Sequence, residues 1–273
     1  MDIILLLDAL ILGLVEAASE FLPISSTGHL IIVGDFLQFT GTRAETFEIF
    51  IQLGAILAVV WIYRHRLLHV VRSMSTDPTS SQLVVNLTVA FLPAALLGFF
   101  LHKYITHYLF NPVTVAAALV VGGIAILLIE HYAGTPKVQS VDAMDWWVAL
   151  KVGLAQCLSL FPGVSRAGAT IMGGMVVGLS RFVATEFSFF LAIPTMFAAT
   201  VFSLYKARHD LVASDMPVFA VGFVAAFLGG LAVVRFLLAY VGRHSFIPFA
   251  YYRIIFGVLL LLYFYYHPWG SAG

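Results

Sequence analysis

Long apolar runs alternate with short polar breaks along this chain. Six of the runs approach the roughly 20 residues that a helix needs to cross a hydrocarbon core. They fall near 47–63, 83–101, 112–129, 187–205, 216–234 and 246–266. Two further apolar regions, 3–39 and 146–180, are interrupted midway by Pro, Gly, Ser and Thr. Each of these predicts two half-length helices on either side of an irregular turn. Such backbone exists at membrane depth only where it is buried in protein or lines a wet cavity, because lipid offers no partner for free N–H and C=O groups. The expected fold is therefore an all-α integral membrane protein, a single membrane domain over 1–273 with six spans and two re-entrant helix pairs.

The two halves correspond when laid side by side. Glu16-Ala-Ala-Ser-Glu-Phe-Leu-Pro23 matches Gln156-Cys-Leu-Ser-Leu-Phe-Pro162, and a Ser/Gly-rich turn follows each. Glu48 precedes Leu53 as Glu186 precedes Leu191, and the stretch from Pro93 to Phe99 mirrors that from Pro217 to Phe223. Pro112 and Pro248 then open the last span of each half. Four matches in one order predict an internal repeat, 1–135 and 140–273, each unit a re-entrant pair plus three transmembrane helices. Because three is odd, the second unit enters the membrane upside down. The expectation is an inverted repeat whose two tips meet near the middle, where such folds place their binding sites.

Composition removes the alternatives. Hydrophobic residues make up 61% and charged residues 10%, against roughly 25% charged in soluble domains, so a soluble fold is excluded. The formal net charge is +0 and the basic residues are scattered, so no nucleic-acid partner is expected. Cys157 is the single cysteine; it reads as a small buried hydrophobe, and no intrachain disulfide can form. The first fifteen residues carry Asp2 and Asp8 with no basic leader and are expected to stay in the mature chain. Arg64 to Arg72 is the richest basic segment and should face the cytoplasm. Alternation from there places Lys137, Arg181, Arg243 and the hydrophilic loop 77–82 inside, with Arg43, Lys103, Lys206, Arg208 and both chain ends outside.

The rare polar residues gather at the two interruptions. Glu16 and Glu20 are four apart and share one helical face, so the pair needs a cation or a proton, and ionisable groups within a membrane are candidates for function. After Pro23 the helix cannot continue smoothly, and Ser25, Ser26, Thr27 and Gly28 bring hydroxyls and free N–H groups to the start of a second helix. That is a cradle for a phosphate, although the same pattern caps ordinary helices. His29 lies three residues past Ser26 and could meet its hydroxyl as base to nucleophile or as a second phosphate contact. It could equally hydrogen-bond between helices.

The second tip reads Phe161-Pro-Gly-Val-Ser165-Arg166-Ala-Gly-Ala-Thr170, and Arg166 is the one charge between Lys151 and Arg181. An arginine there needs an anion, either Glu16 or Glu20, pinning the tips together, or a phosphate held bidentately. Two carboxylates and a diphosphate around one arginine and one histidine leave negative charge in excess. Oxygen ligands from Glu16 and Glu20 suit Mg²⁺ or Ca²⁺, and no Cys/His cluster suggests zinc. The Ser/His/Glu/Arg set points to phosphoryl transfer; a transporter or flippase is the rival class. Gln52 and Arg253 read as helix-packing residues, Glu48 as packing or support for the site, and Glu186 as an interfacial partner of Arg181.

Glu16-x-x-x-Glu20-Phe-Leu-Pro-Ile-Ser-Ser-Thr-Gly-His29 and Phe-Pro-Gly-Val-Ser165-Arg166-x-Gly-Ala-Thr170 closely resemble the bacterial undecaprenyl-diphosphate phosphatase family of bacitracin-resistance proteins. The resemblance runs nearly end to end, through Phe47-Glu48-x-x-Ile-Gln52-Leu-Gly and Ser245-Phe-Ile-Pro-Phe-Ala-x-Tyr-Arg253. It implies hydrolysis of undecaprenyl diphosphate to the monophosphate carrier used in cell-wall synthesis. A divalent metal and a site open to the outer face of the bacterial inner membrane are implied as well. The likeness puts Glu16 and Glu20 in metal or acid/base roles, Ser26 and His29 at the transfer centre and Arg166 on the diphosphate. Ser25, Thr27, Gly28, Ser165 and Thr170 are then expected around the headgroup, among membrane lipids, with a homodimer left open. Two departures stand out: Ala17 where the family commonly has Gly, and Ala167 where it commonly has Ser, which removes one hydroxyl from the candidate phosphate contacts.

Overall fold

Polar residues decide where the helices begin. Asp77, Asn111, Asp145 and Ser180 each accept a first-turn N–H through the side chain, and Pro78 and Pro112 follow two of these caps at the start of the helix. The structure, a computed structural model, describes residues 3–109, 111–208 and 212–266. Among them it contains eleven α-helices and no strand. These are α1 (Ile3–Phe21), α2 (Ser26–Phe36), α3 (Thr42–Ile62), α4 (Arg64–Ser73), α5 (Pro78–Tyr108), α6 (Pro112–Tyr132), α7 (Trp146–Gln156), α8 (Arg166–Val176), α9 (Arg181–Ala207), α10 (Met216–Val241) and α11 (Ile247–Tyr266). The chain ends, expected on the outer side, lie outside the described residues.

Six of these helices, α3, α5, α6, α9, α10 and α11, are long and apolar enough to span a membrane, and they coincide with the six predicted runs. Several start earlier than hydropathy alone suggests. The segment 77–82, expected as a loop, is the cap and first turn of α5 because Asp77 and Pro78 nucleate it, and the basic segment after α3 forms the short helix α4. The two interrupted regions are helix pairs as predicted. α1 and α2 flank the turn 22–25, and α7 and α8 flank the turn 157–165, which opens with the 3₁₀ segment Cys157–Leu160.

Each helix pair is held by close backbone approach to one of the long apolar helices. α1 lies on α10 and α7 lies on α5. A Cβ at Gly13 would stand 2.4 Å from the Gly222 carbonyl oxygen, and one at Gly153 would stand 2.4 Å from the Ala90 carbonyl oxygen. Small residues that let helix backbones meet are the usual means of association where lipid removes the hydrophobic drive. α6 packs along α11, and α3 packs against α9 and α10. Phe21, at the end of α1, meets the ring of Phe189 edge-on at 5.6 Å, anchoring the first turn to α9.

Three of the four sequence correspondences fall at matching places. The Glu16 and Gln156 strings precede the two turns, Glu48 and Glu186 lie in the second turns of α3 and α9, and Pro112 and Pro248 open α6 and α11. The fourth does not, for Pro93 is inside α5 whereas Pro217 begins α10. The expected pair of Arg181 with Glu186 is also absent. Five residues place the two side chains about 140° apart around a helix. Arg181 binds Glu130 instead, which also accepts the Phe246 N–H at 2.7 Å, while Glu186 hydrogen-bonds Tyr63 near Arg66.

Replacing Gly13 by Leu should force α1 from α10 and lower the unfolding temperature of the detergent-solubilised protein, an overpacking cost of about 1–3 kcal/mol or more. Gly134→Ala, where an added Cβ meets nothing within 4 Å, should leave it unchanged.

Candidate active site

Both turns end on a serine in the same unusual backbone conformation. Ser25 caps α2 and Ser165 caps α8, each with φ 74°. Left-handed φ is costly for a residue with a Cβ and persists only where surrounding structure imposes it. The sharp reversal brings the start of α2 and the start of α8 to one cavity of about 240 Å³. Glu20, Ser25, Ser26 and Thr27 line it from the first turn, and Gly163, Ser165 and Arg166 from the second, with Gln52 of α3 and Thr195 of α9 closing the sides.

Glu20 joins the two turns. Its Oε2 accepts the Ser26 hydroxyl at 2.7 Å, and its Oε1 accepts Arg166 through Nε at 3.4 Å and Nη2 at 3.3 Å. The Glu20 and Arg166 side chains are only 8% and 9% exposed. The guanidinium is fixed from behind by α9, donating through Nη1 to the Ser188 carbonyl at 3.0 Å and to its hydroxyl at 3.3 Å. Ser188 in turn shares a 2.6 Å hydrogen bond with Thr170. Ser165 accepts the Gly168 N–H at 3.1 Å, shaping the first turn of α8.

Several of the sequence candidates lie elsewhere. His29 does not meet Ser26: its Nδ1 bonds the Ser25 carbonyl at 2.7 Å and its Nε2 bonds the Tyr252 hydroxyl at 2.6 Å, with the ring stacked on Phe256. Donation to a carbonyl puts the proton on Nδ1 and leaves Nε2 as the acceptor from Tyr252. Thr170 is fully buried and supports Arg166 through Ser188. Gly28 allows close packing on Leu119, where a Cβ would come to 3.2 Å. Ala167 is buried in the apolar core and does not line the cavity. Ala17 fits against Gly229 of α10, where an added Cβ would approach its own to 2.7 Å.

Gln52 and Ser188 are the residues the sequence reading missed. By sequence Gln52 reads as a packing residue, and Ser188 is one hydroxyl in an apolar run. The signal for both was a polar group at mid-span in a region already crowded with candidates.

Among the described residues no three His, Cys, Asp or Glu side chains gather as a complete metal site. Glu16 is nonetheless 2% exposed with Oε1 lacking any hydrogen-bond partner, and it lies within electrostatic reach of Glu20, Glu48 and Arg166. An unpartnered carboxylate oxygen beside a second carboxylate fits a hard divalent cation whose remaining ligands come from phosphate or water.

Fold and site together define a multi-pass helical membrane protein with one cavity shared by two helix-flanked turns. The chain belongs to the family described as bacitracin resistance protein BacA, whose model matches residues 9–259. It is 54% identical to the undecaprenyl-diphosphatase of Ectopseudomonas mendocina (strain ymp), over 100% of this chain and 99% of that protein. It is 55% identical to the undecaprenyl-diphosphatase of Methylobacillus flagellatus, over 97% and 100%. Against undecaprenyl-diphosphatase 1 of Pseudomonas fluorescens (strain Pf0-1) the identity is 56%, over 96% and 95%.

Removing one partner of a buried ion pair strands the other, at about 3–5 kcal/mol. Glu20→Gln and Arg166→Gln should each lower unfolding stability, and the double variant should lose clearly less than the sum. Additive losses in a double-mutant cycle would show the pair to be unimportant for holding the turns together.

Proposed function

We propose that this chain hydrolyses undecaprenyl diphosphate to undecaprenyl phosphate and inorganic phosphate, returning the lipid carrier to cell-wall synthesis. The observation that carries the reading is the Ser26 hydroxyl donating to the Glu20 carboxylate at 2.7 Å, in a cavity shared with Arg166. A nucleophile, its base and a cation are thereby within one headgroup's reach.

Ser26 Oγ attacks the terminal phosphorus while its proton passes to Glu20 Oε2. The new O–P bond forms as the bridging P–O bond breaks, and that electron pair leaves on the polyprenyl monophosphate. Glu20 passes that proton to the departing monophosphate, and water then attacks the phosphoserine, one of its protons returning to Ser26 Oγ through Glu20 as phosphate is released. Arg166 exchanges Glu20 for the diphosphate and stabilises its developing charge. Ser25, Thr27 and Ser165 contact the headgroup, and Thr170 holds Arg166 from behind. His29, turned to Tyr252, serves as a headgroup-side support rather than as the base for Ser26. Glu16 and Glu20 would hold Mg²⁺ or Ca²⁺, which when bound would polarise the phosphoryl oxygens.

The protein sits in the bacterial inner membrane with this cavity opening to the outer face. In support, the cavity draws on Thr195 to Ala199, past the middle of α9 and away from the basic segment Arg64–Ser73. The matched turns and the exchanged packing of α1 on α10 and α7 on α5 support an inverted duplication of the two halves.

Purified wild-type protein should release phosphate from a polyprenyl diphosphate in detergent, and chelation of divalent metal should stop it. Ser26→Ala and Arg166→Ala should each lose at least about a hundredfold in turnover. Quenching with acid should trap phosphoserine at Ser26. An acid-labile adduct would instead make His29 the nucleophile, and lipid binding without phosphate release under any metal condition would favour a carrier.

A further inference from the structure

Arg253 lies on α11, outside the cavity lining, and is 1% exposed. Among the described residues it pairs with no carboxylate. All five of its N–H groups donate to main-chain carbonyls instead. Nη1 reaches Pro23 at 3.1 Å and Val164 at 2.9 Å, Nη2 reaches Gly163 at 3.0 Å and Ala118 at 3.1 Å, and Nε reaches Leu119 at 3.3 Å. A guanidinium has five donors in one rigid plane and no acceptor, so this set is complete.

Those carbonyls come from three places: Pro23 from the first turn, Gly163 and Val164 from the second, and Ala118 and Leu119 from α6. Two of them, at Pro23 and Gly163, stand two residues before Ser25 and Ser165, the serines held at φ 74°. The fork therefore grips each turn where its backbone is most constrained. It also has a slot cut for it, since a Cβ on Gly122 would lie 2.1 Å from Nη2 and one on Gly168 would lie 3.2 Å from Nη1.

We propose that Arg253 is a positioning residue for phosphoryl transfer, its planar fork setting the separation of the two turns and so the register of Ser26 and Glu20 against Arg166. The proposal rests on the paired turns being the active site. A lysine would place one rotatable ammonium among five acceptors and satisfy three at most. A side chain at Gly122 would push the fork out of its slot without touching either turn.

The test uses full-length protein carrying Cys157→Ala and spin labels on cysteines at Phe36 and Leu158, two exposed positions outside the cavity lining. Phe36 ends the helix that leaves the first turn, and Leu158 lies in the segment that enters the second. Arg253→Met, Arg253→Lys and Gly122→Ala are compared for label-to-label distance, unfolding temperature and kcat on a polyprenyl diphosphate. Variants that elute as folded protein should show a shifted or broadened distance. Misplacement of this kind should lower kcat about a hundredfold for Arg253→Met and by an intermediate factor for Arg253→Lys. Adding Gly122→Ala to Arg253→Met should have no further effect on kcat, because no fork remains to be displaced.

A folded variant with an unchanged distance, or one with kcat within about threefold of wild type, overturns the proposal, whatever its unfolding temperature. Where Arg253→Met gives no folded protein, Arg253→Lys and Gly122→Ala decide by the same two readouts. The distance does not depend on activity, so it stays informative even if Ser26→Ala or Arg166→Ala shows the active-site reading to be wrong.

Discussion

A peptide group cut off from water has nothing to fall back on, and this protein folds two turns of irregular backbone among six helices long and apolar enough to span a membrane. Each unpaired N–H or C=O there would cost several kcal/mol. The polar ends of both turns are therefore met by packed helices, while Leu158 and Phe161 of the second turn remain exposed. α10 and α5 cover the incoming helices through glycine contacts, α9 meets Phe21 and Arg166, and α6 and α11 supply the carbonyl clamp. The packing that satisfies the backbone also shapes the cavity that Glu20 and Arg166 line. The same walls that make the turns tolerable make a site in which charge interactions are strong.

The architecture was largely legible because membrane-spanning helices obey a coarse rule of length and apolarity, and all six spans followed it. The two interruptions were legible because Pro23 and Pro162 break runs that otherwise continue. Helix starts were less so, since capping by Asp77 extends α5 a full turn into residues that read as hydrophilic loop. Pairings across the fold were the least legible. Charge scarcity narrowed the partner of Arg166 to Glu16 or Glu20, and the structure pairs it with Glu20. Arg181 had several acidic neighbours, and only the packing of α6 beside the α10–α11 connection made Glu130 its partner.

Histidine shows why spacing alone misleads at a helix start. Ser26 and His29 are separated by one helical turn, which suggests contact. Yet Ser26 lies at the first position of α2, where its hydroxyl turns back to Glu20 across the turn, while His29 leans outward to α11. Arg253 is the converse case: its place in a span looked like ordinary packing, and its five acceptors became visible only when three distant segments met. Backbone carbonyls leave no mark in a sequence, so a residue that binds only carbonyls cannot be read from composition.

The shared carboxylate of Glu20 has a consequence for the protein at rest. While it holds both the Ser26 proton and the Arg166 guanidinium, the strongest cation in the cavity and a neighbouring anion cancel one another. An idle protein thus shows a passing anion an arginine whose charge is already matched. Only a ligand bearing enough negative charge to draw Arg166 away uncovers both groups together.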